Sequence, residues 1–238
     1  EGRVTINGKP TQLGNRVIDG DEVKIDGSLL KSKPKTIYIA LNKPVGIVCT
    51  TDAKERKNII KYVNYPERLF PIGRLDKPSE GLIFLTNDGD IVNKILRAGN
   101  NHKKEYKVTV NRLVTDSFVK KMANGIPILG TITQKCAVHK ISNYEFKIVL
   151  TQGLNRQIRR MCEYLGYEVT KLKRTRIMNV SLAGIPYGSW RELSSKEVET
   201  INLLLASSSK TAEASKDQNK GKVFGRKRTN FNRNKRKS

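Results

Sequence analysis

At 238 residues, the chain is long enough for one large or two modest domains with a real hydrophobic core. Lys and Arg number 46 against 22 acidic residues, and the resulting charge of +24 favours a polyanionic partner, nucleic acid ahead of a membrane surface. No apolar stretch approaches the roughly 20 residues that span a bilayer and no signal peptide opens the chain, so a soluble cytoplasmic protein is expected. From Ser207 onward there are 11 basic and 2 acidic residues, a net of +9, which leaves +15 on the preceding 206 residues. The body is itself basic. Cys49, Cys136 and Cys162 are scattered without a Cys-x-x-Cys pair, which argues against a disulfide framework and a thiolate metal site. His102 and His139 have neither metal nor triad spacing, so no metal is expected and any chemistry falls to Asp, Tyr, Arg and Lys.

The chain opens at Glu1 without a methionine, and an upstream segment is expected. Val4 to Lys9 alternates and contains an Asn7-Gly8 turn signal, and Asp21 to Gly27 is a second alternating strand. These sequences, EGRVTINGKP and LGNRVIDGDEVKIDG, resemble the C-terminal half of the S-four type RNA-binding domain, truncated here to residues 1–33 without the two helices that normally precede the strands. Lys31 to Lys35 reads as a linker. Residues 34–206 alternate strands and short helices without a regular βαβ rhythm, which fits an α+β domain. Expected strands are Thr36 to Leu41, Gly81 to Thr86, Glu105 to Val110, Thr131 to Val138, Tyr144 to Leu150 and Tyr167 to Leu172. Expected helices are Asp90 to Arg97, Asp116 to Ala123 and Asn155 to Leu165, the last with Asn155 as N-cap and Gly166 as stop. A final helix starts at Ser194 in a capping box with Glu197, its Val198, Ile201, Leu204 and Leu205 on one face. Residues 207–238 read as a basic disordered tail.

Residues Pro71 to Asp90, PIGRLDKPSEGLIFLTNDGD, set Asp76 in a turn braced by Gly73 and Gly81, just before the apolar run Leu82 to Leu85. A carboxylate on a loop fixed to a buried strand is held rigidly and still faces a cleft. Taken alone, Asp76 is better explained as a turn residue. In Asn155 to Leu165, the apolar Ile158, Met161, Cys162 and Leu165 share one helix face, with Arg156, Arg159 and Arg160 opposite, where they offer three guanidiniums to an anion. A solvated basic face is the simpler account of that run. Tyr106 shares strand parity with Val108 and Val110, so it should point inward, either as a core tyrosine or as a face on which an extruded base stacks.

Together these segments resemble the RsuA, RluB, RluE and RluF family of pseudouridine synthases. The resemblance rests on Asn42-Lys43-Pro44, Gly73-Arg74-Leu75-Asp76 with Ser79-Glu80-Gly81-Leu82, Lys104-Glu105-Tyr106, and Gly153 to Met161. The stretches NDGDIVNKILRAGN, GIPILGT and KLKRTRIMNVSLAGIPYGSWREL look most like the RluF branch. The fold it implies is a mainly antiparallel central sheet flanked by helices. The activity it implies is isomerisation of uridine to pseudouridine in RNA, without metal or small-molecule cofactor, by a monomer. Asp76 would then be the essential aspartate, attacking the ribose anomeric carbon or removing the 2′ proton. Arg159 would be its salt-bridge partner, and Tyr106 the stacking platform and base. Arg74, Lys43, Arg156, Arg160 and Lys104 would contact RNA, Arg74 filling the gap left by the flipped base. The branch implies a uridine in the peptidyl-transferase region of 23S rRNA and a second in the anticodon of tyrosine tRNA. A non-catalytic RNA-binding ribosome-assembly factor is the competing reading; a metal-dependent nuclease would need clustered carboxylates that the sequence lacks.

Overall fold

The computed structural model describes residues 2–12, 14–18, 20–30, 35–96 and 102–206. The 31–34 part of the expected linker, the end of the helix expected to reach Arg97 and the basic tail lie outside the described residues. The chain divides into an N-terminal unit that ends at Thr36 and a body that begins at Ile37. In the N-terminal unit, β1 (Val4–Ile6), β2 (Lys9–Pro10), β3 (Val23–Ile25) and β4 (Ser28–Leu29) form one antiparallel sheet in the order β2-β1-β3-β4. Asn7 and Gly8 both take positive φ between β1 and β2, as do Asp26 and Gly27 between β3 and β4. Two-residue loops with positive φ at both positions match the twist of the paired strands, which is why Asn-Gly and Asp-Gly stand there.

The body begins with β5 (Tyr38–Lys43), α1 (Ile59–Val63), β6 (Phe70–Ile72), β7 (Glu80–Thr86) and α2 (Gly89–Leu96). It continues through β8 (Lys104–Val110), α3 (Asp116–Ala123), β9 (Pro127–Ile128), β10 (Thr131–Ile132), β11 (Ala137–Lys140) and β12 (Glu145–Leu150). It closes with α4 (Gln157–Tyr164), β13 (Val169–Ile177), β14 (Val180–Ser181), β15 (Trp190–Glu192) and α5 (Ser195–Leu205). The central sheet runs β11-β12-β8-β13-β7-β5-β15, with β6 paired to β7 and β14 to β13. Every pairing in it is antiparallel except β7 with β13. This is the expected α+β architecture with a mainly antiparallel sheet.

The parallel pair is a seam. On one side, a core built on β8, β11 and β12 packs Phe118 and Met122 of α3 and Ile158 and Met161 of α4. On the other, β5 and β7 carry one apolar layer to α2 and α5 and another to α1. At the seam Gly81 pairs with Arg174, and a Cβ on Gly81 would lie 2.3 Å from the Arg174 carbonyl oxygen. With φ at +106°, no other residue fits without moving a strand.

Several boundaries differ from the sequence reading. The strand expected over Thr131 to Val138 is broken into β10 and β11 because the chain between them turns back onto α3. Thr133 exchanges bonds with Ile126, donating its backbone N–H to the carbonyl and accepting on its hydroxyl, and the Cys136 N–H donates to Ala123. Asn155 is not the cap of α4; Arg156 occupies that position in the left-handed region, at φ 50°, without a side-chain cap. In α5 the capping box is present, yet only Ile201 and Leu205 are buried and Leu204 is exposed. Glu197 also accepts two bonds from Arg191, each 2.8 Å, and that guanidinium with the Ser194 cap holds its carboxyl down at about 2 from an ordinary 4.5.

A carboxyl depressed by folding stabilises the fold above its unfolded pKa and stops doing so as pH falls through the folded one. Glu197→Gln should therefore cost on the order of 1–2 kcal/mol near pH 7 and progressively less from pH 4.5 towards 2, read by denaturant unfolding at each pH. Gly81→Ala should cost about 3 kcal/mol or more, because the clash is with backbone. Gly73→Ala, whose added Cβ would meet only the mobile end of Leu96, should cost about 1 kcal/mol in the same assay.

Candidate active site

Asp76 sits in the loop that feeds β7, and the loop is fixed from both ends. The Ser79 N–H donates to the Asp76 carbonyl at 2.9 Å, the Gly46 N–H to the Lys77 carbonyl at 2.8 Å, and the Leu75 N–H to the Cys49 sulfur at 3.4 Å. Its carboxylate, about one-third exposed, faces two guanidiniums: Oδ2 lies 3.8 Å from Arg159 Nε and 3.7 Å from Arg156 Nη1. These are ion pairs at contact range rather than hydrogen bonds.

Arg159 is buried, contrary to the expected solvated basic face. Its Nη1 donates to the Val169 carbonyl at 3.0 Å and its Nη2 to the Ser79 hydroxyl at 3.2 Å, which leaves Nε aimed at Asp76 without a hydrogen-bond partner. Burial and the neighbouring Arg156 pull its pKa down, while Asp76 opposes them. The sequence reading set Arg159 opposite the apolar stripe, but at about 100° per residue it flanks Ile158 and Cys162, so it is buried at the edge of that stripe while Arg156 and Glu163 face solvent. A cavity, about 100 Å³, is lined by Asp76, Tyr106, Arg74, Arg156 and Arg159, with Leu154 and Leu172 among its apolar walls. Tyr106 is half-buried and packs against the cores on both sides of the seam. A cavity with one carboxylate, one aromatic ring and three cations suits a planar base attached to a sugar.

The remaining expected RNA contacts divide. Arg74 is exposed at the cavity rim, and Arg156 is exposed beside Asp76. Arg160 is turned back on Asn155, donating to its carbonyl at 3.1 Å and its side-chain oxygen at 3.3 Å. Lys43 and Lys104 do not fit the role expected of them. Lys43 is fully buried and its ammonium donates to the carbonyls of Pro44 and Ile47, each at 2.8 Å. Lys104 is buried with its ammonium 3.4 Å from the His102 carbonyl, and burial together with Arg174 lowers its pKa to about 8. Both residues end on the inside of the sheet, where phosphates cannot reach. Ser79 and Arg174 went unassigned in the sequence: Ser79 looks like any turn serine, and Arg174, between Lys173 and Arg176, like one more surface charge.

Residues 37–164 match the RNA pseudouridylate synthase family. A protein of Salmonella typhi named dual-specificity RNA pseudouridine synthase RluF is 57% identical over 230 residues, covering 96% of this chain and 79% of that protein. The protein belongs to the RNA pseudouridine synthase family. The synthase is also 34% identical to ribosomal large subunit pseudouridine synthase B of Bacillus subtilis, over 86% of this chain and 87% of that one. A crystal structure of a pseudouridylate synthase superposes with a TM-score of 0.67 at 30% identity, covering 84% of this chain and 89% of the other. The RsuA, RluB and RluF grouping read from the motifs therefore holds, and the synthase is an isomerase acting on RNA. No helix among the described residues is long and apolar enough to cross a membrane.

Arg159→Ala removes the buried cation from Asp76 and should lower the single-turnover rate about 100-fold or more. Ser79→Ala leaves the guanidinium in place but takes away one acceptor, and should cost about tenfold. Stopped-time quantification of pseudouridine with enzyme in excess ranks the two; equal effects would show that the Ser79 bond and the Arg159 charge act as one unit.

Proposed function

We propose that the synthase isomerises a uridine in the peptidyl-transferase region of 23S rRNA and a second in the anticodon of tyrosine tRNA, as a cytoplasmic monomer that needs no metal or cofactor. The observation that carries the catalytic part is the convergence of Asp76, Tyr106 and Arg159 on one cavity. The substrate part is supported by identities of 57% and 55% to RluF proteins of Salmonella typhi and Escherichia coli whose names state dual specificity.

In this reading the target nucleotide is extruded from its RNA, at a cost of a few kcal/mol offset by stacking and phosphate contacts. The uracil enters against Tyr106, while Arg74 takes the space it vacated and Arg156 meets the neighbouring backbone. Asp76 acts as a carboxylate, by attack on the anomeric carbon or by taking the 2′ proton, and Arg159 holds it ionised and aimed. Tyr106 then helps remove the proton from the ring carbon that forms the new bond. The four-stranded unit before Thr36 is the S-four type element and contributes RNA docking. Residues 34–206 are the catalytic domain and residues 207–238 a basic tail that adds sequence-independent attraction.

Asp76→Asn should abolish pseudouridine formation while leaving RNA affinity within about twofold of the parent. Chemical mapping of pseudouridine on 23S rRNA and tyrosine tRNA transcripts, with and without EDTA, reads both the site and the metal independence. Product formation by the Asn variant would remove Asp76 from the chemistry. Modification of only one RNA would reject dual specificity.

A further inference from the structure

Four cations are buried among the described residues, Lys43, Lys104, Arg159 and Arg174, and no carboxylate is buried with them. A buried ion is costly unless it is paired, so an unbalanced group of one sign needs a reason. Arg159 has Asp76. The other three are carried on β5, β8 and β13 of the central sheet. The register of the sheet puts Lys43 beside Gly81, Gly81 beside Arg174 and Arg174 beside Tyr106, a single row across four strands. Because Gly81 has no side chain, nothing in that row separates Lys43 from Arg174. Arg174 is 4% exposed, and its Nε donates to the Leu82 carbonyl at 2.6 Å. Its Nη2 is buried without a partner, and its guanidinium carbon stands 6.0 Å from the centre of the Tyr106 ring. Lys104, two residues before Tyr106 on the same strand, feels the Arg174 charge directly. Neutral carbonyls hold both lysines, so their charge is solvated but not cancelled. The carboxylates that reach Lys43 electrostatically, Asp76 and Glu80, are each only partly buried.

We propose that Lys43, Lys104 and Arg174 form a buried cationic floor that stabilises the negative charge left on the uracil when its bond to the ribose breaks. The inference rests on Asp76 and Tyr106 being the reacting and stacking groups. Both routes open to Asp76 converge on the same leaving group. If the carboxylate attacks, an oxygen–C1′ bond forms and the C1′–N1 pair departs with the uracil. If Asp76 takes the 2′ proton, the C2′–H pair becomes the C1′–C2′ double bond and the C1′–N1 pair again departs with the uracil. Either way the ring carries one negative charge until one of its carbons bonds to C1′, which releases the Asp76 carboxylate or is matched by return of the proton to C2′; that carbon then loses its proton and N1 gains one. That charge arises against Tyr106, with Arg174 behind the ring. Fixed charges in a site shielded from water act without reorganising as the bond breaks. None of the three residues touches the base; they act through their field.

The test uses the full chain with Arg174→Met and Arg174→Lys, and an RNA whose target is uridine or 5-fluorouridine, followed as single-turnover loss of the N1 glycosidic bond. Arg174→Met should slow cleavage of uridine about 30-fold with RNA affinity unchanged, and Arg174→Lys should recover most of the rate. The fluorine withdraws electrons from the departing ring, so the same Met variant should lose only about threefold on 5-fluorouridine. An equal loss on both nucleosides, or none on either, overturns the proposal, since a merely structural arginine is blind to the leaving group. Lys104→Met, removing a second charge of the floor, must show the same smaller loss on 5-fluorouridine, and supplies the answer if Arg174→Met does not fold. Product formation by Asp76→Asn strikes at the site reading instead, leaving the two failures distinguishable.

Discussion

The approach of β7 to β13 at Gly81 and Arg174 is the constraint from which the rest follows. One parallel pairing joins two antiparallel halves, and it closes only because position 81 has no side chain and accepts a positive φ. The loop carrying Asp76 ends where that pairing starts, and α4 leads directly into β13, so the same junction brings the carboxylate to Arg159. Tyr106 arrives from the next strand over, in register with Arg174. Three residues far apart in sequence, on a loop, a strand and a helix, thus meet where β7, β13 and β8 pair.

The electrostatics around the junction are arranged in layers. Near the opening, Arg156 and the one-third-exposed Asp76 share solvent, where an ion pair at 3.7 Å is worth little for stability. One step deeper, Arg159 is held by hydrogen bonds to Val169 and Ser79. Deepest are the two lysines and Arg174. A fold selected only for stability would have placed apolar side chains there. The stability is supplied elsewhere, by the apolar layers on both sides of the seam and by local devices such as the Arg191–Glu197 pair over the cap of α5.

Much of this was legible in the residues. The Asn-Gly and Asp-Gly turns, the Ser194 cap and the helix over Asp116 to Ala123 stand where local chemistry puts them, because each depends on contacts within a few positions. The Asp76 turn, Tyr106 and Arg159 also emerged, since motif order carries what periodicity lacks. Other features were not local. The short β6 and β15 and the five-residue α1 exist because neighbours in space complete them, and their own sequences carry too little pattern. Lys43, Lys104 and Arg174 read as surface charges because hydropathy assigns lysine and arginine outward, and only the register of the sheet reveals that these ones end inside. The same limit hid the burial of Arg159, which stands at the border of the apolar and polar faces of α4, on the side that the cavity covers.

Tyr106 has a position whose meaning extends past chemistry. Its ring packs against the core of β8, β11 and β12 and against the core under α1, so it is shared by two otherwise distinct apolar layers. A residue in that place is constrained twice over. Drift that trims the ring to suit another substrate loosens both layers at once, and the variant is exposed to proteolysis before its altered selectivity can be of use. Evolutionary change in what the cavity accepts is therefore channelled away from the ring and towards Arg74 and Arg156, which line the cavity and are both exposed.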